Sequence, residues 1–222
     1  MQIQLGQHLL GSNQKVAAEI RRLMDEKGVF LLNLMSSPGA GKTTLLEKTL
    51  AALRDQLQVA VIEGDIATTR DADRIARQGV RAVQINTHGA CHLDGAMIQG
   101  VLPAFDLDTL DLLIIENVGN LVCPAEFDLG ADASVVVLST TEGVDKVVKY
   151  PLMFREATAL VLNKIDLLPF TDFSLDELAA DLAQVHPGLC RFDLSARTGE
   201  GMEAWVAWLM AQVQAKRGRR AL

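Results

Sequence analysis

Cys91 and His92 stand side by side in HGACHLDG, residues 88–95 of a 222-residue chain that contains three cysteines and four histidines. Cys123 follows in IIENVGNLVCP. Thiolate and imidazole are soft ligands that suit Ni²⁺ or Zn²⁺ and not Mg²⁺. Three such ligands are one short of a closed four-coordinate site, so two chains paired about a two-fold axis would supply six. Taken singly, each has a plainer reading, because a free cysteine is commonly a small buried hydrophobe and a lone histidine is commonly satisfied in a core. Cys190, ahead of the last strand, is assigned to that plainer class.

A second chemistry is written in LLNLMSSPGAGKTTLLEKTL. A buried strand, a Gly-rich turn and a helix follow one another, the context in which a phosphate-binding loop is credible. The backbone N–H groups of Ser37, Pro38-Gly39, Ala40 and Gly41, of which proline alone lacks the N–H, can surround phosphate oxygens at the positive end of the helix. Lys42 would neutralise the β and γ phosphates, Thr43 would offer its hydroxyl to Mg²⁺, and Thr44 continues the nest of amide donors. Ser36 stands where the strict pattern has glycine. A Gly-rich turn without nucleotide is the alternative.

About 120 residues further on, ALVLNKIDLL ends a buried strand with Asn163, Lys164, Ile165 and Asp166. A carboxylate at Asp166 can accept from guanine N1–H and the 2-amino group, a donor pair that adenine lacks. Asn163 can bond the purine and tie this loop to the phosphate loop, and the Lys164 stem can lie over the ring. The LSARTGEG stretch adds Ser195 and Ala196, whose backbone could meet the guanine oxygen. Together these favour GTP over ATP, although N-K-I-D alone is also reasonable helix-capping chemistry.

Between the two loops lie acidic strand ends. Asp65 follows the run VAVIE, Asp71 and Asp73 stand at a helix start, and Glu116 ends LLIIE three residues before Gly119. Thr43, Asp65 and Glu116 are the candidate Mg²⁺ ligands, and a Gly119 N–H that meets the γ-phosphate would make its loop sensitive to hydrolysis. The catalytic set is Lys42, Asp65, Asp71, Glu116 and Gly119. Asn120 occupies the place where a water-positioning glutamine is usual, so Asp65 or Asp71 would take that role and intrinsic turnover should be slow.

The elements that must position these groups alternate. VFLLNLM, VAVIE, RAVQI, LLIIE, SVVVLS, ALVLNK and CRFDLS are β-prone runs separated by segments of helical period. Runs apolar on both faces predict a doubly wound α/β fold, a mainly parallel sheet flanked by helices, with ligands beyond the carboxyl ends of the strands. Residues 1–28 read as a helical segment packed on the core, with the apolar positions Val16, Ile20, Leu23 and Met24 at helical spacing. Residues 29–215 read as the nucleotide domain, and 216–222 as a basic tail, a solvated helix end.

Composition narrows the class further. Hydrophobic content of 49% with 22% charged residues is that of a globular chain, and a net charge of −7 argues against a basic nucleic-acid surface. An odd count of cysteines does not suggest a secreted disulfide framework, and neither a signal segment nor an apolar run of about 20 residues is visible. The expectation is a cytoplasmic protein that engages neither membrane nor nucleic acid.

The stretches NLMSSPGAGKTT, IEGDIATTRDADRI, NTHGACHLDG, IIENVGNLVCP and VLNKIDLLP together resemble the HypB family of nickel-incorporation GTPases, P-loop NTPases related to UreG, over about residues 10–215. The resemblance implies hydrolysis of GTP to GDP with Mg²⁺ and GTP-dependent homodimerisation. It further implies a Ni²⁺ or Zn²⁺ site from Cys91, His92 and Cys123, and delivery of nickel with a HypA-like chaperone to the large subunit of a [NiFe]-hydrogenase. Some members carry an N-terminal Cys-rich or His-rich nickel store. MQIQLGQHLLGSNQ has neither, which leaves the nucleotide domain as the nickel locus. Rival readings are a UreG-like or MeaB-like chaperone, a metal-independent P-loop kinase, and a binding module with a decayed nucleotide site. UreG typically has Cys-Pro-His, and here Ala125 follows Cys123-Pro124.

Overall fold

The computed structural model describes residues 5–65, 74, 75 and 77–220. Among them, the seven apolar runs become the strands β1 (Phe30–Ser36), β2 (Val59–Asp65), β3 (Arg81–Asn86), β4 (Leu112–Glu116), β5 (Ala133–Ser139), β6 (Ala159–Asn163) and β7 (Cys190–Asp193). They form one sheet in the order β3-β2-β4-β1-β5-β6-β7, with every neighbouring pair parallel. β1 is central, and the chain leaves it on one side toward β2 and crosses it again between β4 and β5. The phosphate loop therefore opens at the point where strand order reverses, the crevice where such sheets bind ligands.

Helices cover both faces. On one, α2 (Lys42–Leu53) and α7 (Met202–Arg220) pack Leu45, Leu46, Leu50, Trp205 and Leu209 against Phe30, Leu32 and Leu34 of β1. The Trp205 indole is fully buried, and its N–H is satisfied by Thr49 Oγ1 at 2.8 Å. On the other, α1 (Leu5–Lys27) and α3 (Gly95–Val101) bury Ile20, Met24 and Ile98 with Leu31. Beyond them, α4 (Lys146–Lys149), α5 (Pro151–Arg155) and α6 (Leu175–Val185) bury Val147, Phe154 and Leu178 with Met35. Strand alternation sends residues 31, 33 and 35 to this second face. There Asn33 is a buried amide between two apolar neighbours.

α1 stops as its sequence dictates. Gly28 takes φ +68°, and the Val29 N–H reaches back to Met24 O at 3.0 Å, closing the helix with a left-handed glycine.

Two expectations are corrected. Cys190 is exposed, because it opens β7, the edge strand, where one flank has no neighbouring strand among the described residues. The basic tail is not simply a solvated end. The Lys216 side chain is only 3% exposed, with Nζ at 2.5 Å from Asp25 and 2.6 Å from Asp132. Asp132 Oδ2 in turn accepts from the Leu31 N–H at 2.9 Å, so this one ammonium joins α7, α1 and the sheet.

Removing the partner of a buried charge costs more than the pair contributes. Lys216→Met is expected to lower the unfolding free energy by about 2 kcal/mol, below the fully buried range because Asp25 is largely solvated. Urea denaturation monitored by tryptophan fluorescence measures it, and an unchanged midpoint would refute the inward role of Lys216.

Candidate functional site

Ser37, Pro38, Gly39, Gly41, Lys42, Thr43 and Thr44 line a cavity of about 450 Å³ at the carboxyl edge of the sheet. Gly39 and Gly41 have φ of +83° and +91°, which a side chain would strain. Gly41 has a second reason to be glycine, since a Cβ there would lie 2.6 Å from Asn163 Nδ2. The approach is a built contact. Asn163 Nδ2 donates to Ala40 O at 2.9 Å, while its Oδ1 accepts from the N–H groups of Lys164 at 2.8 Å and Ala196 at 3.0 Å. Lys164, itself left-handed at φ +62°, donates from Nζ to Gly39 O at 2.7 Å. The 163–166 loop and the phosphate loop are thus one rigid assembly.

Asp166 lies at the start of the 3₁₀ turn Ile165–Phe170, and its Oδ1 is buried without a hydrogen-bond partner among the described residues. An acceptor in that condition calls for a donor. The Ser195 N–H is held by Glu200 O at 2.9 Å, so of the pair Ser195-Ala196 the Ala196 amide could reach a base only by sharing its bond to Asn163.

Magnesium demands oxygen ligands close to the phosphates. Thr43 Oγ1 donates to Glu116 Oε1 at 2.7 Å, and Lys42 Nζ stands 3.2 Å from the same oxygen. Glu116 Oε2 is buried without a hydrogen-bond partner among the described residues. Glu63 is paired in register with Glu116 on the adjacent strand, and Asp65 closes the same side of the cavity. This all-oxygen set with an orphaned carboxylate lone pair fits a divalent cation. Gly119 is pressed against the phosphate loop, where an added Cβ would stand 3.2 Å from Pro38 N. Asp71 and Asp73 lie outside the described residues. Arg74, bound to Glu47 at 2.7 Å, lines the cavity and was not singled out from sequence, since a lone arginine beside a helix start carries no signal of its own.

The soft ligands converge. Ligand atoms of Cys91, His92 and Cys123 all lie within 4.8 Å of one another. Cys91 Sγ is 2.8 Å from Cys123 Sγ and 3.7 Å from His92 Nδ1. The loop that brings Cys91 there is a tight turn with His88 and Gly89 at φ +49° and +96°, closed by the Ala90 N–H on Thr87 O. Cys123 begins a 3₁₀ turn with Pro124 in its second position. His92 stacks on Phe127 with ring centroids 3.9 Å apart. The hydrogen bond with Cys91, then burial, push the Cys123 thiol up from its ordinary value.

Asn117 and Glu142, which the sequence did not single out, and Asn120, read there as standing in place of a water-positioning glutamine, bond the loops around these sites. Asn117, wholly buried and next to Glu116, accepts on Oδ1 from Leu93 N–H at 3.3 Å and Val118 N–H at 2.9 Å, and donates to Asn33 Oδ1 at 3.2 Å. Asn120 turns toward the cysteine loop, with Nδ2 at 3.4 Å from Cys91 O and Oδ1 on Val122 N–H. Glu142, in the loop after β5, accepts a short hydrogen bond from Ser37. Its signal in sequence would have been an acid beside two threonines at a strand end, which is ordinary for a loop.

Burial pushes the Glu142 carboxyl above the ordinary value of 4.5, against the Ser37 bond and the attraction of Lys146 and Lys164. A raised acid in the folded state favours the protonated form. The fold therefore loses stability as pH rises from about 4.5 through the raised value. Glu142→Gln keeps an acceptor for Ser37 and removes the charge. Its thermal midpoint is expected to exceed that of wild type at pH 7.5, with the gap closing toward pH 4.5. A gap independent of pH would show that burial of the charge is not the cause.

The family model of the CobW/HypB/UreG nucleotide-binding domain matches residues 30–191. The hydrogenase maturation factor HypB of Rhizobium leguminosarum bv. viciae is 52% identical over 207 residues, 93% of this chain and 69% of that protein. The crystal structure of HypB from Helicobacter pylori in complex with nickel superposes with a TM-score of 0.86 at 40% identity, covering 93% of this chain and 97% of that one. That of HypB from Archaeoglobus fulgidus gives 0.85 at 36% identity, covering 91% and 99%. With its phosphate loop, the 163–166 loop bonded to it and the adjoining Cys91 and Cys123 at the edge of this shared sheet, the chain belongs to the CobW/HypB/UreG nucleotide-binding family and, within it, to the HypB hydrogenase maturation factors.

Proposed function

We propose that the chain is a GTPase metallochaperone that takes up nickel on Cys91, His92 and Cys123 and gives it up in a manner governed by its nucleotide. The observation that carries this reading is the convergence of those three ligands within 4.8 Å of one another, on loops bonded to the segment that follows Glu116. The donor set is soft, as nickel and zinc require, and the H. pylori relative crystallised in complex with nickel shares the fold.

The Asn163 and Lys164 clips hold the two nucleotide loops at fixed separation, and Asp166 Oδ1 supplies the acceptor that selects guanine. Lys42 would turn from Glu116 to the β and γ phosphates. Thr43, Glu116 and Asp65 would hold Mg²⁺, which neutralises phosphate charge when bound. As Lys42 leaves Glu116, the strand end at Glu116 and Asn117 is free to shift, and the bond from Leu93 N–H to Asn117 carries that shift to the Cys91 loop. Asn120 spends its amide on Cys91 O and Val122 N–H, away from the phosphates, which supports slow intrinsic hydrolysis. A single-turnover rate nearer ~10⁻³ s⁻¹ than the ~10 s⁻¹ of an activated GTPase is expected.

A three-ligand site supports completion by a second copy, so GTP would favour a homodimer with metal at its interface. The nickel would come from a HypA-like chaperone and go to the hydrogenase large subunit in the cytoplasm. Among the described residues no helix is long and apolar enough to cross a membrane.

Nickel titration of wild type and of a Cys91→Ala, Cys123→Ala double variant, each with GDP and with a non-hydrolysable GTP analogue, tests the reading while light scattering follows mass. Wild type is expected to change nickel affinity between the two states and to dimerise with the analogue. The double variant should lose the high-affinity site. Equal nickel affinity in both states would remove the coupling, and tight zinc with no nickel would reassign the cargo.

Specificity is tested separately. Asp166→Asn exchanges one acceptor for a donor, so one hydrogen bond to a charged group is lost and a donor faces a donor; at about 3 kcal/mol GTP affinity should fall by about a hundredfold, while affinity for xanthosine triphosphate should rise. ATP displacing GTP from wild type would favour a kinase instead.

A further inference from the structure

Asn13 is a buried amide in α1, 8% exposed, remote in sequence from both cysteines. Its Oδ1 accepts from Gly95 N–H at 2.7 Å and its Nδ2 donates to Asp128 O at 2.8 Å. Gly95, the first residue of α3, ends the loop that carries Cys91 and His92. Asp128 follows Cys123 in the other and adjoins Phe127, the ring on which His92 stacks. One side chain therefore bonds the backbones of both ligand-bearing loops.

The fit leaves little slack. A Cβ on Gly95 would stand 3.1 Å from Asn13 Oδ1 and 3.2 Å from Val16 Cγ1. Gly130, at φ +75°, lies so close to α1 that a Cβ would meet Ala17 O at 2.5 Å. Arg21 holds both carboxylate oxygens of Asp128 at 3.0 and 2.9 Å, and Asp128 Oδ1 accepts from Gly130 N–H at 2.8 Å, which fixes the carbonyl that Asn13 reaches. Only a group that is donor and acceptor at once can make both bonds. A carboxylate at this position would face the Asp128 carbonyl with a second acceptor, and an apolar isostere would leave both backbone groups unpaired.

We infer that Asn13 is a positioning residue for the soft-metal site: through it, α1 sets the separation of the Cys91 and Cys123 loops, independently of the bond from Leu93 N–H to Asn117. This rests on the metal-binding reading above, because the value of a fixed thiol separation lies in holding one ion between the two sulfurs.

The test uses Asn13→Asp and Asn13→Leu, with Lys27→Ala as a control that removes a contact of α1 with Asp108 far from the cysteines. Two readouts are taken on the full chain with GDP bound. The first is nickel titration followed through the thiolate-to-nickel charge-transfer absorption. The second needs no metal: the rate at which the diazene oxidant diamide takes two electrons and two protons from Cys91 and Cys123 to form their disulfide, scored as a mass loss of the intact chain.

Both Asn13 variants are expected to bind nickel about 10- to 100-fold more weakly with an altered absorption band. They should also form the disulfide about tenfold more slowly, since thiol exchange follows the proximity of the sulfurs. GDP affinity should stay within about twofold, as among the described residues none from α1 lines the phosphate cavity, and Lys27→Ala should match wild type in both readouts. Wild-type nickel affinity and wild-type disulfide rate in the folded variants would overturn the inference. If Asn13→Leu does not fold, Asn13→Asp, which keeps the bond from Gly95 N–H, decides. If wild type itself shows no thiolate–nickel band, the metal reading fails. The disulfide rate then still decides whether Asn13 sets the separation.

Discussion

The architecture turns on two carboxylates placed in register on adjacent strands. Glu63 and Glu116 pair across β2 and β4, and both are 3% exposed. Side chains at paired positions of parallel strands fall on the same face, so two acids are held close together in a place with little water. Burying even one carboxylate is costly unless charge and hydrogen bonds compensate it. Lys42 and Thr43 supply part of that compensation at Glu116 Oε1, and Oε2 remains for a cation. The sheet thus carries an electrostatic need at its carboxyl edge that a magnesium-bound triphosphate is suited to meet, and the phosphate loop is folded against it.

Everything downstream of Glu116 inherits its position. Asn117 takes its N–H bond to Leu34 O, at 2.9 Å, from the central strand and passes its own side chain to Leu93 and Asn33. Asn120 and Cys123 follow within one short segment. A displacement of Glu116 cannot be absorbed locally, because Asn117 is wholly buried and its N–H and both side-chain polar atoms are engaged. The coupling proposed between nucleotide and metal is reciprocal. Whatever factor the nucleotide imposes on metal affinity, the metal must impose on nucleotide affinity, so cargo would select the nucleotide state as much as nucleotide selects the cargo state.

The fold and the places of the 36–43 and 163–166 loops at strand ends were legible because they are local. A parallel sheet buried on two faces writes each strand as an unbroken apolar run, and the motifs at positions 36–43 and 163–166 have fixed spacing at the ends of such runs. The convergence of Cys91 and Cys123 was legible in outline because β3 and β4 both end at the same edge. What escaped were contacts between residues remote in sequence with no motif: Asn13 to Gly95, Asn117 to Asn33, Ser37 to Glu142. The misplacement of Cys190 has a related cause. Its run is short, and whether a short run is central or at an edge depends on strand order, which periodicity does not contain. Lys216 was read from its neighbours in a basic string, yet a helix turns each successive residue by about 100°, so one lysine of such a string can face inward onto Asp25 and Asp132.

The buried amides decide whether this network is more than stability. An apolar residue at position 33 would suit the alternation of β1 and bury more hydrocarbon, and a leucine at 13 would continue the apolar stripe of α1. Amides at both places contribute little net stability, since a neutral hydrogen bond is worth about 1 kcal/mol and an unpaired one costs more. What they add is geometry. Asn33, Asn117 and Asn13 bond specific backbone or side-chain atoms at fixed distances, whereas an apolar contact is satisfied over a range of positions. That restriction is concentrated around the two loops that bring Cys91 and Cys123 together. Elsewhere on the same sheet face, the packing of Ile20, Met24 and Ile98 is left to hydrocarbon alone. A chain that only needed to fold would have little reason to distribute its buried amides in this way, whereas one that must keep two sulfurs at a set spacing while a neighbouring strand end moves has a direct one.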